Sequence, residues 1–261
     1  MLSVLEHRKL EPDAHYYTLL HGRITHGLQF AAPERAPMIT SYFGPRTGIG
    51  LAFKHYPRQE GKRIGLLGLG VGTIAAYGQP GDVLRIYEID PHVREIAAKP
   101  FRYVELSKAK VDIIMGDGRL SMENEPAQNF DFLIMDAFSS DAVPVHLLTR
   151  EAFEIYLRHL KPDGAILVNI SNRYLNLQPV VENAARAFKL RVHTIASEDG
   201  GETDDGEDGA WWFYGATWMI LSRNNEFMNR PELVRAASPE SPANNIPLWT
   251  DDYTSMYRIL Q

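Results

Sequence analysis

The sequence has 261 residues, enough for a full hydrophobic core and an appended subdomain, and its apolar fraction of 44% and charged fraction of 23% are ordinary for a globular protein. The net charge of −6 argues against nucleic acid as the main partner, and the absence of cysteine excludes disulfides, thiolate catalysis and zinc sites with cysteine ligands. No apolar run approaches the roughly 20 residues that span a bilayer, and the charged N-terminus does not resemble a signal peptide, so we expect a cytoplasmic enzyme without a membrane partner.

The first 57 or so residues differ in character from the rest of the chain. The stretches "HYYTLLHGRITHGLQF" and "MITSYFGPRTGIGLAF" are rich in β-forming residues and glycine turns. They predict a small N-terminal β-hairpin subdomain over residues 1–57. The polar segment around Pro57 and Gly61 has the composition of a linker, so a second domain is expected over residues 58–261.

From about residue 60, short apolar strands alternate with helical patterns. The predicted strands are "RIGLLGLG", "VLRIYEID", "VDIIMGDG", "FDFLIMDAF", "AILVNIS", "RVHTIAS" and a long last strand, "WWFYGATWMILS". A helix is expected to begin at Thr73, and "LLTREAFEIYLRHL" has apolar residues at helical spacing. Apolar strands separated by helices predict an α/β fold with a mostly parallel, seven-stranded sheet that is covered on both faces.

A glycine turn follows the first of these strands. Gly68, Gly70 and Gly72 form G-x-G-x-G between a strand and a helix, where residues without a Cβ let the backbone turn sharply and approach a ligand. Glu88 ends the next strand, a place where a carboxylate accepts hydrogen bonds from both hydroxyls of a ribose.

Two further acids end the third and fourth strands. Asp117 stands in "GDG", where it is placed to accept a hydrogen bond from an adenine amino group, and Asp136 stands in "MDAFSSD". Open α/β sheets bind ligands at the carboxyl ends of their strands. The glycine turn and the three acids therefore predict an adenosine site at this edge.

The spacing of the glycines narrows the choice of ligand. Rossmann dehydrogenases favour G-x-G-x-x-G, whereas the third glycine here comes one residue early, and no phosphate-binding G-x-x-x-x-G-K-[ST] is present. Adenosine on a sulfonium carrier fits better, because it bears no phosphate and the glycine turn has no Lys or Arg. We therefore predict a Rossmann sheet like that of the class I S-adenosylmethionine-dependent methyltransferases, which an antiparallel strand closes.

Several motifs together resemble one enzyme family. "GLGVGT", "YEIDP", "GDGR" and "DFLIMDAFSSDAVPVHLLTREAFEIYLRHLKPDG" resemble the spermidine synthase (polyamine aminopropyltransferase) family, in particular a bacterial branch that is often fused to membrane segments. "HGLQF", "SYFG" and "LWTDDYTS" are also similar to that branch. We expect a stand-alone member or an excised domain.

The resemblance implies a role for each matching position. Glu88 would hold the ribose and Asp117 the adenine, Asp136 would face the incoming amine, and Gln29 and Tyr42 would line the pocket. The full set of candidates is catalytic Asp136, Tyr42 and Asp141; donor-binding Gln29, Gly68, Gly70, Gly72, Glu88, Ile89, Asp117, Gly118 and Asp136; and acceptor-binding His26, Gln29, Tyr42, Ser139 and His146. The implied reaction moves an aminopropyl group from decarboxylated S-adenosylmethionine to putrescine and releases methylthioadenosine, and a homodimer is the familial expectation.

A carboxylate at Asp136 suits this chemistry. An alkyl ammonium has a pKa near 10.4, like lysine, so at neutral pH the nucleophilic amine is disfavoured by roughly 4–5 kcal/mol. A positioned carboxylate can bind the cation and then accept its proton.

Two departures from the family pattern leave alternatives open. The acid of the family's glycine loop, which holds the donor's free amine, is replaced by Val71, and the second acid of the catalytic loop is displaced to Asp141. Val71 favours ordinary S-adenosylmethionine as the donor, for methyl or aminocarboxypropyl transfer or cyclisation. A non-catalytic domain that binds an S-adenosyl ligand is the other alternative.

Other polar clusters give weaker indications. The histidines have no metal-ligand spacing, so no metal cofactor is expected, and there is no G-x-S-x-G elbow of a hydrolase. The acidic segment "EDGGETDDGED" is interpreted as a solvated insertion or an electrostatic lure for a polycation. Asp251 and Asp252 in "WTDD" are candidates for a salt bridge or for the pocket.

Overall fold

The computed structural model describes residues 1–22, 24–137, 144–201, 210–239 and 244–260. The chain begins with an antiparallel three-stranded meander, in which β1, β2 and β3 pair in chain order. These strands are β1 (Leu2–His7), β2 (Tyr16–His21) and β3 (Ile24–Phe30). The small N-terminal β-sheet predicted from the sequence is confirmed.

The second half of the N-terminal region is not β-structure. Residues of "TGIGLAF" form helix α1 (Gly48–His55), whose N-terminus is capped by the Thr47 hydroxyl accepting a hydrogen bond from the Gly50 amide. Ile49, Ala52 and Phe53 follow helical spacing and are buried, and α1 packs on the main sheet. Burial of this face outweighs the modest helix propensity of a stretch rich in glycine.

Seven strands form the main sheet, in the order β6-β5-β4-β7-β8-β10-β9. The strands are β4 (Arg63–Leu67), β5 (Val83–Glu88), β6 (Lys110–Met115), β7 (Phe130–Met135), β8 (Leu160–Asn169), β9 (Arg191–Ser197) and β10 (Ala216–Ser222). All pairings from β6 to β8 are parallel, and β10 is antiparallel to both of its neighbours. The predicted mostly parallel, seven-stranded sheet with an antiparallel strand is confirmed, although this strand lies inside the sheet and not at its edge.

The last strand is shorter than expected and lies inside the sheet. β10 begins at Ala216, five residues after Trp211, because residues 211–215 turn away to pack on the N-terminal sheet. β10 inserts between β8 and β9, so Trp218 is fully buried rather than placed at an edge.

Helices cover both faces of the sheet. They are α2 (Pro91–Ala97), α3 (Tyr103–Leu106), α4 (Gly118–Asn124), α5 (Arg150–His159), α6 (Gln178–Ala187), α7 (Asn225–Met228) and α8 (Pro231–Ala236). Thr73–Tyr77, where a helix was expected, forms only a 3₁₀ turn. Alternate residues of β7 enter two cores: Phe132 packs on one side of the sheet and Leu133 on the other.

The C-terminal segment docks on the body. Trp249 and Ile259 are buried, and the Arg150 amide at the start of α5 donates to the Trp249 carbonyl at 2.8 Å. In the ranges described above, no helix is both long enough and apolar enough to cross a membrane.

Candidate active site

The site lies where strand order reverses, because β4 has β5 on one side and β7 on the other. Gly68 follows β4 with a φ of 90°, and a Cβ there would lie 2.5 Å from the carbonyl oxygen of Asp136. Gly70 has a φ of 54°, and its Cβ would lie 3.2 Å from the carbonyl oxygen of His26. The glycines thus bring the turn after β4 against both β7 and β3.

A cavity of about 380 Å³ opens beside this turn, and we refer to it as the glycine cavity. Its volume lies within the range of small-molecule sites, which begins at roughly 300 Å³. The structure brings together here the predicted donor-binding residues Gly68, Gly70, Glu88, Ile89, Asp117, Gly118 and Asp136.

Glu88 sits at the end of β5 and is only 6% exposed. One carboxylate oxygen accepts the Leu69 amide and the other accepts the Asp90 amide, both at 2.8 Å. Burial raises the pKa of Glu88, while these backbone donors oppose the rise. Each oxygen keeps a second lone pair, so the carboxylate is held rigidly and can still accept hydroxyl groups.

Asp117 caps helix α4, with one oxygen accepting the Leu120 amide at 2.9 Å. Its other oxygen lies 2.9 Å from Nε2 of His146. Burial opposes ionisation of Asp117, but the Leu120 amide and His146 outweigh it and lower the pKa of the carboxyl. His146, predicted to contact the acceptor, therefore lies against the acid predicted to bind adenine.

A polar network ties the C-terminal segment to this end of the cavity. Arg119, in "GDGR", donates to both oxygens of Asp251 at 2.7 and 2.5 Å and to the carbonyl of His146 at 2.7 Å. The Thr149 hydroxyl donates to Asp251 at 2.7 Å. Asp251 of the "WTDD" motif is thus a salt-bridge residue that fixes the loop behind His146.

Asp136, at the end of β7, has two side-chain donors. Nδ2 of Asn169 donates to one oxygen at 2.8 Å, and the hydroxyl of Tyr42 donates to the other at 3.2 Å. Burial raises the pKa of Asp136 to about 7, and the two hydrogen bonds limit the rise. Burial also raises the pKa of Tyr42 well above its ordinary value. A carboxyl near pH 7 can both give and accept a proton under physiological conditions.

A second cavity, of about 710 Å³, meets the first at Asp136. We refer to it as the amide cleft, because Asn169, Asn172, Asn176 and Gln178 line it. Of the residues that the structure describes, three line both cavities: His26, Tyr42 and Asp136. This shared wall is where a molecule in one cavity can meet a molecule in the other.

His26 was expected to contact the substrate and lies in this shared wall. Burial lowers the pKa of its imidazole, and the neighbouring His21 ring, 5.8 Å away, adds to the effect. The lowered pKa favours the neutral imidazole, whereas Asp136 in the same wall, with a pKa of about 7, can carry a negative charge when it loses its proton.

Not every predicted residue reaches the site. Gln29 is 2% exposed and is not among the described residues that line either cavity. Its amide donates to the Ala36 carbonyl and accepts from the Arg102 amide, both at 2.7 Å, so it joins β3 to the neighbouring loops. Gly72 also lies outside the lining of both cavities, whereas Ser139 and Asp141 fall outside the described residues.

Val71, the departure from the family's glycine loop, is 1% exposed. Its side chain joins the core and lies so close to Gly27 of β3 that a Cβ on that glycine would overlap it. The valine therefore offers no polar group to the glycine cavity.

Sequence reasoning missed Asn169, which orients Asp136. It ends β8, the strand next to β7, so its position at the sheet edge was a usable signal. Among the described residues, no group of three or more His, Asp or Glu side chains is arranged to hold a metal ion.

Comparison with protein-family models finds no match. Among curated proteins, the chain is 32% identical over 128 residues to a polyamine aminopropyltransferase of Vibrio vulnificus, covering 47% of this chain and 41% of that protein. It is 24% identical over 140 residues to putrescine N-methyltransferase 2 of Nicotiana attenuata, covering 51% of this chain and 38% of that protein. The chain thus spans about two fifths of the length of these relatives.

Solved structures share the fold. A probable spermidine synthase from Corynebacterium glutamicum superposes with a TM-score of 0.64 at 17% identity, covering 88% of this chain and 80% of that one. The spermidine synthase from Thermotoga maritima gives a TM-score of 0.54 at 15% identity, covering 90% of this chain and 74% of that one. The resemblance predicted from the motifs is confirmed.

Proposed function

Since the chain is related to the spermidine synthase family, we propose that it transfers an aminopropyl group from decarboxylated S-adenosylmethionine to the amino group of an acceptor amine. Di- and polyamines are the first candidates for the acceptor, because the relatives' names point to them. The observation that carries the proposal is the position of Asp136, a carboxyl with a pKa of about 7 in the wall shared by the glycine cavity and the amide cleft.

The glycine cavity would take the adenosine part of the donor. Glu88, fixed by two backbone amides, has lone pairs left for the ribose hydroxyls. Asp117 accepts hydrogen bonds beside Ile89, whose 68% exposed side chain offers an apolar surface to a base. The described lining of this cavity contains no Lys or Arg that could neutralise a phosphate, in agreement with a sulfonium nucleoside as the ligand.

Asp136 would prepare the nucleophile. An acceptor in the amide cleft binds as an ammonium, and the Asp136 carboxylate accepts its proton to give the neutral amine. The amine nitrogen then forms the new bond to the propyl carbon next to sulfur, while the carbon–sulfur bond breaks and its electron pair stays on sulfur. The products are an alkylated ammonium and neutral methylthioadenosine.

Tyr42 and Asn169 would keep Asp136 in the orientation that this transfer needs. Each donates to a different oxygen of the carboxylate, so the group cannot rotate freely. Alignment matters in a displacement at carbon, because fixed geometry can supply about 7 kcal/mol or more of the barrier reduction.

A second candidate is methyl transfer from S-adenosylmethionine itself. Val71 supports it, since a buried valine takes the place of the acid that would hold the amine of a decarboxylated donor. Without an acid at this position, the carboxylate of the intact donor meets less electrostatic repulsion. The relatives include enzymes named for each of the two transfers.

Mass spectrometry of the nucleoside product tests the two candidates. The protein is incubated with either donor and a panel of amines that includes putrescine. Methylthioadenosine from the decarboxylated donor, with an amine that gains an aminopropyl group, supports the first candidate, and S-adenosylhomocysteine supports the second. Calorimetric binding of methylthioadenosine without any turnover would overturn both and leave a ligand-binding domain.

The matched variant for this assay is Asp136→Asn. We expect product formation to fall by a factor of about 10²–10⁴, the usual contribution of a general base. Binding of methylthioadenosine should stay near that of the wild type. A fully active Asp136→Asn protein would show that the base is another group.

We further propose a homodimer, as the family resemblance implies. Light scattering coupled to gel filtration measures the mass directly, and a mass near 29.5 kDa would show a monomer.

A further inference from the structure

The C-terminal segment reaches the donor side of the active site through one arginine. Arg119 lies in α4, two residues after Asp117, and its side chain is 11% exposed. Its guanidinium donates to both carboxylate oxygens of Asp251, 132 residues further along the chain, at 2.7 and 2.5 Å. A forked pair of this kind fixes the orientation of both groups. Asp251 therefore holds the Arg119 side chain in one position.

The same two side chains fix the backbone around His146. Arg119 donates to the carbonyl oxygen of His146 at 2.7 Å, and the Thr149 hydroxyl donates to Asp251 at 2.7 Å. The backbone amide of Asp251 donates to the Glu151 carboxylate at 2.9 Å. Asp251 is therefore joined, directly or through Arg119, to the segment that runs from His146 into α5.

His146 carries this constraint into the glycine cavity. Its Nε2 lies 2.9 Å from a carboxylate oxygen of Asp117, and both residues line the cavity. Because the pKa of Asp117 is lowered, its carboxylate is ionised at neutral pH and only accepts, so Nε2 carries the hydrogen. The His146 imidazole is 47% exposed, so this contact depends on the fixed position of the backbone that carries it.

Asp117 is consequently held from two sides. One oxygen accepts the Leu120 amide and the other accepts His146, and each oxygen keeps a lone pair for a ligand. A carboxylate held in this way can present an acceptor in a fixed direction, whereas a free one would turn towards water.

We infer that Asp251 is a positioning residue for recognition of the nucleobase. Through Arg119 it holds His146 against Asp117, and Asp117 then presents a fixed acceptor to the 6-amino group of adenine. This inference rests on the proposed binding of an adenosine donor in the glycine cavity, and it holds whichever group is transferred.

Two nucleosides measure how firmly Asp117 is held. They are methylthioadenosine and its 6-deamino analogue, in which a hydrogen replaces the amino group and no donor faces the carboxylate. Calorimetric titration of the wild type should give binding of methylthioadenosine that is about tenfold or more tighter, since hydrogen bonds to charged groups are strong.

Replacing Asp251 should reduce this ratio of dissociation constants. We expect Asp251→Ala to lower it by about threefold to tenfold, mainly through weaker binding of methylthioadenosine. Asp251→Asn keeps one acceptor for Arg119 or Thr149 and should give an intermediate ratio. Asp252→Ala is the matched control, because Asp252 is the adjacent exposed acid and lies outside the described lining of both cavities. It should leave the ratio unchanged.

A double-mutant cycle tests the route of the effect. If Asp251 acts through His146, Asp251→Ala should change the ratio little further in a His146→Ala protein. Additive effects of the two substitutions would overturn the inference, because Asp251 would then act by another route. A general loosening of the fold would weaken both nucleosides alike, and an unchanged ratio in Asp251→Ala would also overturn it.

Failure of the proposed function gives a different result. A wild type that binds methylthioadenosine but alkylates no amine with either donor refutes the transfer and leaves the comparison of nucleosides intact. A wild type that binds the two nucleosides equally, or binds neither, overturns the inference.

Discussion

Replacing Asp136 with asparagine removes a partly buried ionisable group and can keep both of its hydrogen bonds. The asparagine oxygen can accept from Asn169, and its amide can donate to the Tyr42 hydroxyl, which serves as donor or acceptor. The substitution therefore isolates the free energy of ionising a carboxyl at this site.

The magnitude follows from the pKa of Asp136, which is 3.8 in its ordinary range and about 7 in the folded protein. Because the folded state keeps its proton longer, ionisation favours the unfolded state, and stability is lost as the pH rises from about 4 to about 7. The loss is at most about 1.7 kcal/mol at pH 5 and about 4 kcal/mol at pH 8. Asparagine avoids this loss.

Urea unfolding of both proteins at the two pH values measures the effect. The free energy of unfolding of Asp136→Asn relative to the wild type should rise by roughly 2.5 kcal/mol from pH 5 to pH 8. Asp13→Asn, which removes an exposed carboxylate, is the matched control. A relative stability that changes by less than about 0.5 kcal/mol would show that Asp136 ionises without penalty, and the argument for it as a base near neutral pH would fail.

Further predictions concern the same crevice. The value of kcat/KM should rise with pH through about 7 as Asp136 loses its proton. Tyr42→Phe should move this rise to higher pH, because the hydrogen bond from Tyr42 favours the carboxylate form of Asp136. An unchanged pH profile of kcat/KM in Tyr42→Phe would contradict this hydrogen bond. Glu88→Gln places the NH₂ of the new side chain against the backbone N–H of Leu69 or Asp90. Calorimetry should therefore show weaker binding of methylthioadenosine, and urea unfolding should show a stability loss of about 1–3 kcal/mol. Gly68→Ala should lower the melting temperature far more than Gly61→Ala. Both glycines have a positive φ, but only at Gly68 would a Cβ lie within 3 Å of backbone, the carbonyl oxygen of Asp136. Equal losses of melting temperature would refute the argument that Gly68 is needed for this close approach.

Most of the main sheet could be predicted because its central strands are buried on both faces and have continuous apolar sequences. The helix Gly48–His55 could not, since its glycines and aromatic neighbours suggest β-structure, and only contact with the main sheet decides for a helix. The late start of β10 has a similar cause: Trp211 and Trp212 have high strand propensity, but they pack on Phe30 of the N-terminal sheet instead.

The geometry of the candidate site was predictable where the ends of strands determine it. Glu88, Asp117 and Asp136 meet at one edge because parallel strands share a direction. Gln29 shows the limit, since sequence position alone does not reveal that its amide is used up by two backbone groups.

The close contact between Val71 and Gly27 constrains how this protein could evolve. An aspartate at position 71 would have to fit beneath β3, and any larger residue at position 27 would have to displace the valine. A charged side chain at position 71 would also have to leave water for the core, so this glycine loop disfavours an acid through desolvation.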